Sequence, residues 1–309
     1  MPRYAGPVVD AHQHFWDPFA NDYPWLRPDE HIPFRYGNYE AIKRRYLPPD
    51  YSVDARGQDV RQTVYVEAEW NPADPLGETR YVSGLAAQFG LPSAIVAQAW
   101  LDRADVAEVL ARQAECPLVR SVRHKPGGPR APGEAGRTLM SDARWRRGYA
   151  RLAQHGLNFD LQTPWWTLHE AELLAQDFPA TLIVLNHTGL PSDRSEAGLA
   201  GWSRAMGGLA QWPNVRVKIS GLGLAGRGWT VADNRWIVQE TIAMFGAHRC
   251  MFASNFPVDS LCADFATIFE GFRTIVEELP DDVQAQLFCG TAQEVYGIEN
   301  RPAKKPSPA

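Results

Sequence analysis

The feature that most restricts the fold of this chain is a unit that recurs eight times: a short apolar, β-branched run, usually followed by an amphipathic stretch. The runs cover residues 7–12, 63–69, 94–100, 118–124, 157–162, 181–187, 215–220 and 251–255. Most are nearly continuous in Val, Ile, Leu and Phe, as expected of parallel strands buried on both faces. Helical periodicity marks residues 78–89, 103–115, 142–155, 168–177, 231–245 and, after the eighth run, 281–296. Eight alternations in 309 residues fit an α/β chain folded as a (β/α)8 TIM barrel better than an open doubly wound sheet. No glycine-rich GxGxxG turn follows a strand, which argues against a dinucleotide-binding unit.

The first crossover is irregular. Residues 15–61 are rich in Pro, Tyr, Trp and Asp and weakly periodic. An insertion after the first barrel strand is expected to lie over the active-site face. No linker-like break divides the chain, so residues 1–299 read as one barrel domain. Residues 300–309, with three prolines and two lysines, read as a disordered tail.

Charge narrows the partners. The net charge is −5 and basic residues do not run together, against a nucleic-acid or anionic-membrane surface. No apolar run approaches the roughly 20 residues that span a bilayer. A strand seed as early as Pro7 leads us to expect no secretory leader. Cys116, Cys250, Cys262 and Cys289 lack zinc-knuckle spacing and read as reduced thiols of a cytoplasmic protein. The expected partner is a small molecule. Oligomeric state is open, with a homo-oligomer among the options.

In a barrel the C-terminal strand ends carry the chemistry. The first run ends in His12 and His14, which alternation puts on one side of the strand. Two imidazoles there can clamp a metal or grip a polar substrate. The other runs end in Glu67, Glu69 and Trp70; Trp100 and Asp102; Arg120, Arg123, His124 and Lys125; Asp160 and Gln162; Asn186 and His187; Lys218 and Ser220; and Ser254 and Asn255, with Asp259 just beyond. A His-x-His pair alone is a weak signal. Arg120, Arg123 and Lys218 lie in buried strand patterns, where an unpaired charge is costly, and Glu67 and Glu69 can simply neutralise them. His31, His155, His169 and His248 fall in loop or helix patterns and read as structural. Most of the eleven tryptophans read as core, but Trp16, Trp70, Trp100, Trp165 and Trp166 follow strands, so some should line a pocket mouth.

At five places the chain resembles the amidohydrolase superfamily, in the lactonase branch often labelled "amidohydrolase 2". The segments are Val9-Asp10-Ala11-His12-Gln13-His14-Phe15-Trp16-Asp17-Pro18, Val119-Arg120-Ser121-Val122-Arg123-His124, Ile183-Val184-Leu185-Asn186-His187-Thr188-Gly189, Val217-Lys218-Ile219-Ser220-Gly221-Leu222 and Met251-Phe252-Ala253-Ser254-Asn255-Phe256-Pro257-Val258. They occur in the family's order and span nearly the whole chain. The resemblance implies a TIM-barrel hydrolase. In metal-dependent relatives the matching histidines, here His12, His14 and His187, bind a divalent ion such as zinc or manganese, with a strand-eight Asp. In metal-free members of the branch, histidines and arginines polarise a lactone carbonyl and that Asp activates water.

This chain departs from the pattern there, with Asn255 where the family has Asp. An amide is neither a general base nor an anionic ligand. Asp259 can supply the carboxylate, His187 or His14 can be the base, or hydrolysis is lost. The substitution weakens a metal cage, so no cofactor is expected to be obligatory, though a divalent metal is allowed at His12, His14 and His187. The resulting expectation is a hydrolase opening a small carboxylated lactone. Arg120 or Arg123 would fork the substrate carboxylate, with His124, Gln162, Trp16, Trp70 and Trp100 around the substrate. His12, His14 and Lys218 would stabilise the oxyanion, and His187 would start the attack with Asp259 or Asn255 placing the water. The alternatives are a lactone isomerase or decarboxylase on the same scaffold, and a non-catalytic barrel that binds a small acid.

Overall fold

A computed structural model describes residues 3–299 of the chain; the tail expected at residues 300–309 lies outside them. Eight parallel strands form one sheet in sequence order: β1 (Val8–Gln13), β2 (Val60–Val66), β3 (Ala94–Gln98), β4 (Val119–Arg123), β5 (Asn158–Leu161), β6 (Ile183–Leu185), β7 (Val215–Ile219) and β8 (Cys250–Phe252). Each expected run overlaps one strand. β2 starts earlier than its apolar run, because Val60 and Gln62 already pair with Val8 and Val9. The sheet curls until its ends meet. Gln13 bridges Phe256 in parallel, His14 N–H donates to Phe256 O (2.8 Å), and Asn255 N–H donates to His12 O (2.8 Å). The result is the TIM barrel that the alternation implied.

A short helix, α1 (Pro48–Asp54), lies within the β1–β2 insertion. The helices α2 (Gly77–Phe89), α3 (Val106–Ala114), α4 (Ala143–Tyr149), α5 (Leu168–Asp177), α6 (Glu196–Ala210), α7 (Val231–Phe245) and α8 (Phe265–Val276) follow β2 to β8 in turn. Local chemistry starts several of them. Asp142, Ser195, Thr230 and Asp264 each accept a backbone N–H of the first turn of α4, α6, α7 and α8, satisfying donors that the helix cannot.

Alternation along the strands splits the core in two. Val64, Val66, Ala94, Val96, Val184 and Met251 pack inside the barrel. Tyr65, Ile95, Ala97, Ile183, Leu185 and Phe252 face the helical ring. The chain then closes the barrel floor with α9 (Asp281–Ala285) and α10 (Thr291–Tyr296), and Tyr296 joins the inner cluster. On β4, β5 and β7 the inner positions are polar. There Asp160 accepts from Ser121 Oγ (2.8 Å), Asn186 Nδ2 (2.9 Å) and Tyr296 OH (3.0 Å), and pairs with Lys218 Nζ (2.7 Å).

The insertion anchors itself to the barrel through a few buried aromatics. Trp16, Tyr23, Tyr46 and Tyr51 are buried. Tyr51 OH donates to Asp10 Oδ2 (2.8 Å) and Trp16 Nε1 to Ile42 O (3.1 Å), while Trp16 and Tyr46 form an antiparallel bridge. All four cysteines are free. No helix among the described residues is long and apolar enough to cross a membrane.

Candidate active site

The β1 pairing register shifts between Asp10 and Gln13. Beyond the shift His12 and His14 enter the C-terminal mouth of the barrel, while Gln13 Nε2 bonds Thr63. Their two Nε2 atoms are 3.3 Å apart. His14 Nδ1 lies 2.7 Å from the Val66 carbonyl, which can only accept. The ring proton of His14 is therefore assigned to Nδ1, leaving a lone pair on Nε2. His187 follows β6 in left-handed backbone (φ 55°). Its ring centroid is 4.5 Å from that of His12, and its Nδ1 is 2.9 Å from Ser220 Oγ.

All three rings are held neutral. Burial pushes His12 and His187 well below the usual imidazole range, helped by His187 and Lys218 at His12 and by Arg35 and Arg123 at His187. Burial, then Arg123, takes His14 to about 3. Neutral imidazoles offer lone pairs and are reluctant bases.

Asn255, also left-handed (φ 57°), donates through Nδ2 to Asp259 Oδ1 at 2.6 Å. Its amide oxygen therefore turns the other way, towards His14. The same Asp259 oxygen accepts from Tyr36 OH (2.9 Å) and pairs with Arg35 Nη2 (3.4 Å). Asn255 and Asp259, alternatives in the sequence, are thus one hydrogen-bonded unit. The amide lines the cavity and the carboxylate stands behind it.

That cavity has a volume of about 320 Å³ and is lined by His14, His187, Asn255, Arg35, Arg123 and Gln162, with aromatic walls from Trp16, Trp25 and Phe34. A second chamber of about 500 Å³ shares Trp25, Arg123, Glu69 and Lys125 with it, and is walled by Trp70, Trp100 and His124. His124 Nδ1 accepts from Leu101 N–H and Trp145 Nε1 (3.1 and 2.9 Å), and its ring stacks on Trp100.

Three residues sit differently from the sequence expectation. Arg123 reaches the cavity, but its fork is occupied. Nε donates to Glu67 Oε1 and Nη2 to Glu67 O (both 2.5 Å), and Nη1 donates to Gln162 Oε1 (2.9 Å). Arg120 points away from the mouth, bonding the Pro117 and Val119 carbonyls and packing by Gly297. It is one strand position out of phase with Ser121 and Arg123. Lys218 is fully buried in the barrel interior, paired with Asp160 and set over the Tyr296 ring at 4.9 Å. It therefore acts on the histidines through its field. Arg35, Tyr36, Trp25 and Phe34 were not singled out from the sequence. They lie in the aperiodic insertion, and the only signal was where that segment should sit.

The donor set accommodates a divalent ion in part. Two nitrogens on one tetrahedral zinc, at about 2.0–2.1 Å each, lie roughly 3.3 Å apart, which matches the His12–His14 separation. His12 Nδ1 has no partner, so that ring is held only at Nε2. Without an ion the same contact is a hydrogen bond from His12 to His14. Among the described residues no three His, Cys, Asp or Glu side chains meet in ligating geometry.

Imidazoles gathered from β1 and β6 over the open end of an eight-stranded barrel place the molecule among the hydrolytic barrel enzymes. The chain belongs to the amidohydrolase family: a family profile of that description matches residues 9–298. It is 37% identical over 296 residues to the uncharacterised protein y4mH of Sinorhizobium fredii, covering 94% of this chain and 98% of that one. It is 30% identical over 309 aligned positions to an L-fucono-1,5-lactonase of Burkholderia ambifaria, covering 94% and 96%. An amidohydrolase of Burkholderia multivorans solved with bound zinc aligns at 27% identity with a TM-score of 0.77, covering 95% and 100%.

Proposed function

We propose that this enzyme hydrolyses a small lactone that carries a carboxylate. The observation that carries this reading is the single cavity onto which His14, His187, Asn255 and Arg35 all open. The similarity to lactonases supports it. Arg35, Arg123 and Lys125 line that cavity; each has a carboxylate partner, Asp259, Glu67 and Glu69, but Arg35 and Lys125 are part-exposed and free to turn to an anionic substrate. Because the Arg123 fork is filled and buried, Lys125, whose partner Glu69 is part-exposed, is the better receiver of the carboxylate.

In this scheme the ring lies against Trp25 and Phe34. Arg35 and His187 both pack over Gly221, where an added Cβ would come within 2.6 Å of His187 Nδ1 and 2.7 Å of Arg35 Nη2. Arg35 stabilises charge developing on the carbonyl oxygen. The Asn255 amide oxygen orients the water, His187 Nε2 takes its proton, and that proton passes to the ring oxygen as the acyl–oxygen bond breaks. Burial and Arg35 make that proton costly to hold. A divalent ion on His12 and His14 would relieve this by polarising the carbonyl and acidifying the water. With neutral ligands only, it would bind weakly.

The test is acid release from a panel of carboxylated lactones, with and without added zinc or manganese. His187→Ala should lower kcat by about 10²-fold or more. Binding of the lactones with no acid released in any metal condition would overturn the hydrolase reading. Asn255 in place of the acid favours a second reading, isomerisation or decarboxylation, which an isomerised product or released carbon dioxide would reveal.

A further inference from the structure

Past the ends of β2, β3 and β4, beside the catalytic cavity, lies the chamber of about 500 Å³ walled by Trp70, Trp100 and His124. Trp25, Ile32, Glu69, Arg123 and Lys125 line both spaces, so the two adjoin. Each alone has the size of a ligand site, roughly 300–1,000 Å³, and the hydrolytic scheme uses only the first. Acids outnumber bases on the wall of the second, with Glu30, Glu67 and Glu69 against Arg123 and Lys125. No surplus of positive charge draws an anion there.

Two side chains in that wall have one end fixed by the protein and the other end open. His124 Nδ1 accepts from two donors, Leu101 N–H and Trp145 Nε1. Burial lowers its pKa, so at neutral pH the ring is uncharged and its proton is on Nε2. Gln98 Nε2 donates to the Trp70 carbonyl (2.8 Å), which can only accept. The amide orientation is thereby fixed, with Oε1 as its other end. Neither His124 Nε2 nor Gln98 Oε1 bonds another described residue, and neither atom is sealed from solvent, although the two residues are only 9% and 4% exposed. A donor and an acceptor are thus held in place and left unused. Beside them Trp100 stacks on the His124 ring (centroids 5.8 Å apart, interplanar angle 7°) and is still 40% exposed.

We propose that this chamber receives a second ring of the substrate, a sugar joined to the lactone, which lies on Trp100 and hydrogen-bonds His124 Nε2–H and Gln98 Oε1 through its hydroxyls. A hydroxyl both donates and accepts, so a sugar satisfies both open ends. The C–H face of a pyranose suits the negative π face of an indole. An aryl substituent would leave both ends desolvated and unpaired, which is costly. The inference rests on the lactonase reading only for what the sugar is attached to.

The test separates the two. Dissociation constants of methyl glucoside, methyl galactoside and methyl mannoside, with p-cresol as an aromatic control, are measured by ligand-observed NMR on the wild type, Trp100→Ala, Trp100→Phe and His124→Asn. Trp100 and His124 line the second chamber and not the first, so an effect of either localises the sugar. Asparagine keeps an acceptor near the place of Nδ1 and drops the Nε2 donor. Trp100→Ala should weaken the glycoside that binds best by about tenfold, and Trp100→Phe by less. His124→Asn should weaken it by about fivefold. For two carboxylated lactones differing only in a glycosyl substituent, Trp100→Ala should lower the preference in kcat/KM for the glycosylated one by about tenfold.

Absence of glycoside binding, or equal binding in wild type and the part-exposed Trp100→Ala site, overturns the sugar subsite, whatever becomes of His124→Asn. Binding of p-cresol that needs Trp100, ignores His124 and exceeds that of every glycoside overturns the sugar in favour of an aryl ring. Glycoside binding that depends on Trp100 and His124 in a protein that opens no lactone supports the subsite and removes the lactonase reading. Lactone opening with no preference for the glycosylated form, and no glycoside bound, does the reverse.

Discussion

At the level of single residues, the site rests on buried charges whose partners decide their role. Arg123 was expected to grip substrate, yet Glu67, itself only 3% exposed, holds it. Removing one member of a buried pair leaves the other charge unsolvated, at about 3–5 kcal/mol. Arg123→Ala should therefore lower unfolding free energy by about 3 kcal/mol in urea. An arginine that only gripped substrate would raise KM and leave stability unchanged. Behind this pair lies Glu78, raised to about 8 by burial and then by Glu67. One of its oxygens accepts from Tyr65 OH and Ala68 N–H (2.7 Å each), and the other has no partner. A carboxyl raised on folding stabilises fully below its unfolded pKa near 4.5, and that contribution is lost as pH rises towards 8. The stability of Glu78→Gln relative to wild type should thus increase from pH 5 to pH 9. Denaturation curves that stay parallel across that range would contradict it. Taking the difference cancels the buried histidines, whose lowered pKa values make stability rise with pH near neutrality.

At the scale of elements, the strands were legible and the segments that finish the site were not. Buried parallel strands must be apolar almost throughout, so their positions show in any window of a few residues. The polar residues at their ends were visible for the same reason. Arg35 meets Asp259 across 224 positions of sequence, and Arg123 meets Glu67 across 56. No local period encodes such meetings, and the insertion that supplies Arg35 has none of its own. Arg120 and Arg123 looked equivalent as residue types, and only strand phase separates them. The floor of the barrel makes a comparable demand on α10. Tyr296 fills the inner core, donates to Asp160 and lies under Lys218. Tyr296→Ala should cost about 3–5 kcal/mol, as other large aromatic truncations in cores do. A loss below about 1 kcal/mol in chemical unfolding would show that α10 is only an appendage.

For the molecule as a whole, ion binding and stability are linked. A cation that binds only the folded state stabilises it by about 2.7 kcal/mol when present at 100 times its dissociation constant. Zinc added to protein stripped by a chelator should raise the thermal midpoint. The double variant His12→Ala, His14→Ala should show no such rise. Asn255→Asp should bind the ion more tightly, because a carboxylate replaces the neutral amide. An equal zinc response in the wild type and the double variant would place the ion elsewhere.

The way the barrel closes has a consequence for how the protein comes into being. The bonds that join β1 to the segment after β8 run through the backbones of His12, His14, Asn255 and Phe256. A nascent chain makes His12 and His14 some 240 residues before the segment that fixes them in place. Chains truncated before Asn255 should therefore be inert, and appearance of turnover during synthesis would time the last stitch of the barrel.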